Sequence, residues 1–247
     1  MFPILQIGPL ALQTPGLMYL LGLWFGLSLA EKFAPKRGIS ADALYNLVFT
    51  GLIAGILGAR LGYVLQYPDA CLASPLSLIS LNPGLLDPFS GFAAALIASL
   101  VYGARKKLEV WNTLDALTPF FAVFLIGAAL ANIASGAAFG METSLPWGID
   151  LWGAKRHPTQ FYELGGAIVI LLALGLRSKE NAPPAGALFL TFIALTAGSR
   201  LFFEAFRGDS TLILGGIRAT QVIAWLVLAG ALWGLMWKAK KVPSSGR

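Results

Sequence analysis

Seven long apolar runs, separated by short polar segments, account for most of the 247-residue chain. They extend over residues 16–33, 45–66, 86–104, 116–136, 160–177, 185–206 and 217–237. Each run has close to the ~20 residues that an α-helix needs to cross the ~30 Å hydrocarbon core of a bilayer. Only helices satisfy their own backbone hydrogen bonds in lipid with this hydropathy pattern. The pattern therefore predicts an all-α polytopic membrane protein, with seven transmembrane helices forming a single domain over residues 1–247.

The composition supports this fold class, since 57% of the residues are hydrophobic and only 12% are charged. A soluble domain carries roughly 25% charged residues. Residues 1–15 lack a basic start and a cleavage site, so we expect no removable signal peptide. The single cysteine, Cys71, excludes an internal disulfide and a cysteine metal cluster. We expect neither a metal nor a cofactor.

Positive charges are distributed unevenly between alternate loops. Twelve of the 18 lysines and arginines lie at the C-terminal ends of the first, third and fifth runs, in the loops that follow them or in the C-terminal tail. Four lie in the alternate loops, and Arg60 and Arg200 lie within runs. Because basic loops face the cytoplasm, this distribution predicts an external N-terminus and a cytoplasmic C-terminus. The net charge of +6 is scattered through short loops, which indicates membrane topology and not nucleic-acid binding.

With this orientation, polar side chains from four helices lie at one depth near the outer surface. They are Arg60 and Tyr63; Asn132; Arg156, His157, Gln160 and Glu163; and Arg200, Glu204 and Arg207. A charge at the bilayer centre costs at least ~2.5–3.5 kcal/mol, so intramembrane ions indicate function by default. The alternative is structural ion pairing, of Arg200 with Glu204 and of Arg60 with Glu163 or Asp87.

This set contains more cations than anions, namely Arg60, Arg156, Arg200 and Arg207 against Glu163 and Glu204. An arginine binds phosphate through two parallel hydrogen bonds. The commonest anion at this depth is a phospholipid headgroup. The residues by themselves therefore predict a cationic pocket that binds an anionic phospholipid from the outer leaflet.

Two further patterns predict local structure. Residues 156–163 place the only histidine, His157, at the mouth of the fifth helix, where Gln160 is expected to reach the free N–H groups. The alternative for this stretch is a capped helix end with a satisfied histidine. Small residues at Gly51, Gly55 and Gly58 line the second helix, and we assign them to close helix packing.

Four stretches resemble the prolipoprotein diacylglyceryl transferase family, namely residues 16–20, 58–65, 156–163 and 200–207. They span nearly the whole chain, and the RHPTQFYE stretch at 156–163 is the most specific. The resemblance implies a seven-helix protein of the bacterial plasma membrane with its site facing the outer leaflet. It also implies transfer of diacylglycerol from phosphatidylglycerol to the lipobox cysteine thiol of a prolipoprotein, with release of glycerol phosphate. The expected partners are phosphatidylglycerol and the prolipoprotein signal peptide.

The resemblance also suggests residue roles. Arg200 would contact the donor phosphate, Glu204 would orient Arg200, and His157 is the only histidine available as a base. Arg207 would border the outer mouth of the site. Asn132 and Gly140 match an asparagine and a glycine associated with the family's fourth helix. The other expected substrate-binding residues are Arg60, Tyr63, Arg156, Gln160 and Glu163.

The chain departs from the family pattern at three places. In the first helix, the usual His and Tyr before the Gly-Leu-Met stretch are Gln13 and Pro15. The family signature Arg-hydrophobic-Gly-Asn-Phe-x-Asn-Gly-Glu corresponds to residues 129–137, where the arginine, the second asparagine and the glutamate are replaced. The histidine of the family's His-Gly-Gly motif is replaced by Ser90. Two hypotheses follow, an active transferase or a noncatalytic relative that binds anionic lipid or a lipoprotein precursor. A transporter is disfavoured because no inverted repeat is evident.

Overall fold

The computed structural model describes residues 3–8, 10–69, 85–177, 183–213 and 216–240. Cys71 and the C-terminal tail lie outside the described residues. The long helices are α1 Thr14–Phe33, α2 Ala41–Gln66, α3 Pro88–Arg105, α4 Val110–Ser135, α5 Thr159–Arg177, α6 Ala187–Phe203 and α7 Ala219–Lys240. Three antiparallel hairpins pair β1 Ile4–Ile7 with β2 Leu10–Gln13, β3 Ile149–Leu151 with β4 Ala154–Arg156, and β5 Leu212–Ile213 with β6 Ile217–Arg218.

Each predicted apolar run coincides with one of these helices, so the polytopic all-α prediction is confirmed. Among the described residues, six helices are long and apolar enough to cross a membrane. The exception is α3, whose 18 residues extend about 27 Å and include Pro88 and Arg105 at the two ends.

Helix α4 begins six residues before its predicted start, at Val110 instead of residue 116. The backbone carbonyl of Glu109 accepts hydrogen bonds from the backbone N–H and the hydroxyl of Thr113, at 2.9 and 2.8 Å. The Glu109 carboxylate also accepts a hydrogen bond from the Asn112 side chain. Polar contacts therefore extend the helix beyond its apolar run, which hydropathy alone does not reveal.

Backbone contacts divide the chain into a larger unit, Met1–Phe33 with Leu114–Arg247, and a smaller unit, Ala34–Thr113. In the smaller unit, the small-residue face of α2 packs directly on α3. A Cβ added to Gly55 would lie 3.2 Å from the Ala95 Cβ, and one added to Gly51 would lie 2.6 Å from the Ser99 hydroxyl. The assignment of these glycines to helix packing is therefore confirmed.

The larger unit has an apolar core formed by α4, α5 and α6, with buried residues Ala122, Ile170, Leu174, Leu188 and Phe192. A buried carboxylate anchors the start of α6 to α4. The two oxygens of Asp115, which is 0% exposed, accept hydrogen bonds from the backbone N–H groups of Gly186 and Phe189 at 2.8 and 2.9 Å. These contacts satisfy free donors at a helix N-terminus and fix the start of α6 relative to α4.

Candidate functional site

After α4 ends, the chain runs in an extended path between two other segments of the larger unit. On one side, the Met141 N–H donates to the Phe206 carbonyl and the Gly208 N–H donates to the Phe139 carbonyl, both at 2.8 Å. On the other side, the His157 N–H donates to the Met141 carbonyl at 2.9 Å. These long-range hydrogen bonds bring the start of α5 and the end of α6 to the same place.

Gly140 lies at the centre of this arrangement, where only a residue without a side chain fits. A Cβ at Gly140 would lie 2.6 Å from the Cβ of His157 and would also collide with the His157 carbonyl oxygen. A Cβ at Gly208 would lie 2.7 Å from the Gly140 carbonyl oxygen. The close approach of three backbone segments therefore explains glycine at both positions.

His157 lies beside aromatic rings just before α5. Its ring centre is 5.3 Å from that of Phe206 and 6.4 Å from that of Tyr162. The hydroxyl of Tyr162 accepts a hydrogen bond from the Trp147 indole N–H at 2.9 Å. The Nδ1 atom of His157 is buried and has no hydrogen-bond partner among the described residues. An imidazole nitrogen donates or accepts one hydrogen bond according to its tautomer, so the hydrogen-bonding capacity of Nδ1 is not used by the described residues.

Four charged side chains meet where α5 begins and α6 ends. Glu163 Oε1 lies 2.8 Å from Arg200 Nη1 and 3.0 Å from Arg207 Nη1. Glu204 Oε2 lies 3.2 Å from Arg200 Nε and 3.8 Å from Arg207 Nε. Each glutamate therefore bridges both arginines. We call these four residues the charged cluster.

The helices themselves favour this placement. Glu163 lies in the second turn of α5, where the positive end of the helix dipole, which favours a carboxylate, acts only weakly. Arg200 lies in the last turn of α6, where a cation is favoured for the complementary reason. Glu204 follows Arg200 by four residues, the spacing that places both side chains on one helix face. The Arg200–Glu204 ion pair, stated above as the structural alternative to a ligand-binding role, is present at 3.2 Å.

Exposure differs within the charged cluster. The Glu204 side chain is 1% exposed, Arg207 is 12% exposed and Glu163 is 14% exposed, whereas Arg200 is 36% exposed. The ion pairs of Arg200 among the described residues involve its Nη1 and Nε atoms. Two carboxylates thus hold the guanidinium from one side and leave its outer edge available to a ligand.

The two arginines and the two glutamates of the charged cluster balance in charge, and the net positive pocket that the sequence predicts, which also counts Arg60 and Arg156, stays a prediction. The described part of the larger unit pairs Arg156 with Glu142 at 3.3 Å and Arg207 with Asp209 at 2.8 Å. Burial lowers the pKa of the Arg207 guanidinium. Hydrogen bonds and charges of Asp209 and Glu163 oppose this effect, and the net result is a pKa above the ordinary value. Arg207 is therefore a permanent cation held by three carboxylates, those of Glu163, Glu204 and Asp209.

Arg156 and Gln160 connect the ends of the loop between α4 and α5. The guanidinium of Arg156 donates to the carbonyls of Leu151 and Gly140, at 3.1 and 3.4 Å. Gln160 is fully buried, and its amide N–H donates to the Ala137 carbonyl at 3.0 Å. This differs from the predicted contact of Gln160 with the N–H groups of its own helix. Its Oε1 has no hydrogen-bond partner among the described residues.

A sequence model described as "Prolipoprotein diacylglyceryl transferase" matches residues 3–237. The chain belongs to the prolipoprotein diacylglyceryl transferase family. Three similar relatives carry the name phosphatidylglycerol–prolipoprotein diacylglyceryl transferase. The relative from Photobacterium profundum is 32% identical, with 98% of this chain and 94% of the relative aligned. The relative from Cupriavidus pinatubonensis is 31% identical, with 98% of this chain and 92% of the relative aligned. The relative from Geobacter sulfurreducens is 30% identical, with 96% of this chain and 95% of the relative aligned.

Asn132, one of the residues that the family resemblance indicates, lies in the last turns of α4. Its backbone carbonyl accepts hydrogen bonds from the Gly136 N–H and the Ser135 hydroxyl, at 2.9 and 3.3 Å. Arg60 and Tyr63 belong to the smaller unit. There Arg60 donates to the Leu85 carbonyl at 3.0 Å, and the Tyr63 ring centre is 5.0 Å from that of Tyr67. Substrate binding by Arg60, Tyr63 and Asn132 stays a prediction.

Sequence reasoning missed three residues that surround the charged cluster, namely Asp209, Ser210 and Arg218. Ser210 donates to Glu204 Oε1 at 2.7 Å, and Arg218 donates to Ser210 at 2.8 Å. The only signal in the sequence was a basic residue in an otherwise apolar loop just before α7. Such a residue is indistinguishable from an ordinary loop cation until the β5–β6 hairpin places it.

Proposed function

We propose that this chain transfers diacylglycerol from phosphatidylglycerol to the lipobox cysteine thiol of prolipoproteins. Membership of the transferase family over residues 3–237 supports this proposal. The observation that carries it is the Arg200 guanidinium, held by Glu163 and Glu204 with one edge unpartnered among the described residues. This arrangement suits the phosphate that the reaction releases.

In this reaction the thiolate sulfur attacks the glyceryl carbon that bears the phosphate. A new C–S bond forms, the C–O bond to phosphate breaks, and glycerol phosphate leaves with the electron pair of that bond. Arg200 binds the phosphate oxygens on which negative charge increases. Removing one such positioned donor from an enzyme costs roughly 10²–10³ in rate.

The thiol must lose its proton before it attacks, because the thiolate is the nucleophile. We assign this proton to His157, the only histidine of the chain. Its buried Nδ1 has no described hydrogen-bond partner to displace. A positioned base contributes roughly 10²–10⁴-fold to the rate. Because cysteine is already partly ionised near neutral pH, the attack does not require a strong base.

We further propose a single domain of seven spans in the bacterial plasma membrane, with the N-terminus outside and the C-terminus in the cytoplasm. The excess of basic residues in alternate loops supports this topology. It places the charged cluster and His157 near the outer leaflet, where a prolipoprotein signal peptide presents its cysteine. Although α3 is short, we count it as a span because of its apolar sequence.

A second candidate is a relative that binds anionic lipid or a lipoprotein precursor without turnover. The specific observation in its favour is the loss of four polar family residues, at Ser90, Ala129, Ser135 and Ala137. The balanced charges of the cluster also reduce its attraction for an anion. A lipid-binding relative would use Arg200 as the transferase does, so turnover is the property that separates the two candidates.

Complementation separates the two candidates. The chain is expressed in bacteria depleted of their own diacylglyceryl transferase, and prolipoprotein modification is followed by gel shift. We expect growth and a shifted prolipoprotein with the natural chain and neither with Arg200→Ala at equal membrane abundance. Absence of both with the natural chain, when it is present in the membrane, would leave lipid binding as the function.

A further inference from the structure

The end of α6 is held by a guanidinium that comes from outside the charged cluster. Arg218 Nη1 donates to the backbone carbonyls of Glu204 and Arg207 and to the hydroxyl of Ser210. Since Nη1 carries two N–H groups, these three acceptors share two protons. Arg218 Nη2 contacts the Met141 sulfur at 3.3 Å. The guanidinium is therefore directed at the backbone of the site.

Two of these acceptors are carbonyls at the C-terminal end of α6, which continues through a 3₁₀ turn at Glu204–Phe206. The Glu204 carbonyl also accepts from the backbone N–H of Arg207 at 3.2 Å, and the carbonyls at this helix end carry the negative end of the helix dipole. A guanidinium there satisfies the carbonyls and stabilises the dipole. Arg218 thus holds the backbone of Glu204 in place.

Ser210 holds the side chain of Glu204. Its hydroxyl donates to Glu204 Oε1 at 2.7 Å while its oxygen accepts from Arg218 at 2.8 Å. The direction of these hydrogen bonds is determined, because an ionised carboxylate only accepts and a guanidinium only donates. The other carboxylate oxygen, Oε2, then faces Arg200 Nε at 3.2 Å. Rotation of the Glu204 carboxylate away from Arg200 would break the Ser210 hydrogen bond.

The β5–β6 hairpin explains why Arg218 reaches this position. Its register pairs Leu212 with Arg218, and the Ala219 N–H donates to the Thr211 carbonyl at 3.0 Å. These contacts return the chain to the end of α6 directly after Ser210. Arg218 and Ser210 are therefore held together by backbone pairing, independently of any ligand.

We propose that Arg218 and Ser210 are positioning residues that act through Glu204 to orient Arg200 toward the phosphate of the donor lipid. This inference rests on the proposed function only in taking phosphatidylglycerol as the ligand of Arg200. It predicts that loss of either residue weakens binding of phosphatidylglycerol and leaves binding of the lipobox peptide intact. A general structural role would affect both substrates.

The test uses the full-length protein in nanodiscs and the variants Ser210→Ala, Arg218→Gln and Arg218→Lys. Thr211→Ala removes a neighbouring exposed hydroxyl, and Lys155→Gln removes an exposed cation of the β3–β4 hairpin, so both serve as controls. The Kd for phosphatidylglycerol and, where turnover occurs, the KM for each substrate are measured. We expect Ser210→Ala and Arg218→Gln to raise the Kd by about 10-fold or more, since each loses hydrogen bonds that involve a charged group.

Arg218→Lys should recover part of the affinity, because an ammonium reaches fewer of the acceptors at once. In an Arg200→Ala background, Ser210→Ala should change the Kd no further, since its effect passes through Arg200. If Arg218→Gln lowers the yield of folded protein, the Kd of Ser210→Ala alone is used to test the positioning role.

The outcomes distinguish this inference from the proposed function. If Ser210→Ala and Arg218→Gln bind phosphatidylglycerol as the controls do, the positioning role is refuted even though transfer occurs. The positioning role is also refuted if Ser210→Ala lowers the affinity as much in the Arg200→Ala background as in the natural chain. It is likewise refuted if the variants raise the KM for the peptide as much as the KM for phosphatidylglycerol. If the natural chain binds this lipid through Arg200 and never transfers it, the transferase proposal fails, while weaker binding by the variants still supports positioning.

Discussion

Gly140→Ala tests whether the close approach of backbone segments sets the geometry of the site. The added Cβ would lie 2.6 Å from the His157 Cβ and 2.9 Å from its carbonyl carbon, in addition to colliding with the carbonyl oxygen. Carbon atoms in contact are normally about 3.5–4.0 Å apart. His157 and Gly140 would therefore have to separate by about 1 Å.

Neither backbone segment can move freely by this distance. The His157 N–H is bonded to the Met141 carbonyl, and its carbonyl accepts from the Thr159 N–H, both at 2.9 Å. On the opposite side, Gly208 is bonded to Phe139. Overpacking of this kind costs about 1–3 kcal/mol of folding stability. A displacement of about 1 Å in a catalytic group reduces the rate by about 10²-fold.

Thermal unfolding in detergent and diacylglyceryl transfer to a lipobox peptide measure the two effects. Gly165→Ala is the matched control, because a Cβ there meets nothing within 4 Å and alanine favours a helix over glycine by roughly 0.5–1 kcal/mol. We expect Gly140→Ala to be less stable and less active, and Gly165→Ala to be at least as stable as the natural chain. Equal stability and activity of Gly140→Ala and the natural chain would refute the reasoning.

Three other substitutions test separate parts of the structure. Arg200→Ala should reduce the phosphatidylglycerol that copurifies with the protein, measured by lipid mass spectrometry; unchanged lipid content would make Arg200 a structural ion-pair partner only. His157→Ala should lower transfer by about 10²–10⁴-fold with unchanged lipid content, and natural rates would remove it from the mechanism. Gly58→Leu should separate α2 from α3, because a Cβ there already collides with Ala94, and should lower the unfolding temperature in detergent. Unaltered unfolding of Gly58→Leu would contradict the observed helix packing.

Sequence reasoning placed single residues well where short-range periodicity decides their positions. Arg200 and Glu204 were predicted to pair because their spacing of four residues is a property of any helix. His157 was predicted at a helix mouth because the polar stretch directly precedes an apolar run. The small-residue face of α2 was assigned to packing for the same kind of reason.

Partners that are distant in the sequence were not predictable in this way. Glu163 joins Arg200 and Arg207 only because the start of α5 meets the end of α6. Arg218 and Ser210 reach Glu204 through a hairpin whose register depends on backbone hydrogen bonds. Gln160 was assigned to its own helix, since its contact with Ala137 requires the loop after α4 to fold back.

The amino-acid pattern by itself determined the number and approximate limits of the long helices, because the need to satisfy backbone hydrogen bonds in lipid leaves no other spanning structure. It also indicated the family and the identity of most charged residues of the site. Only the tertiary structure decided which carboxylate holds which arginine, and hence that the charged cluster of two arginines and two glutamates balances in charge. Charge balance depends on distances of a few ångströms between separate helix ends and loops, and periodicity along one helix carries no information about those distances.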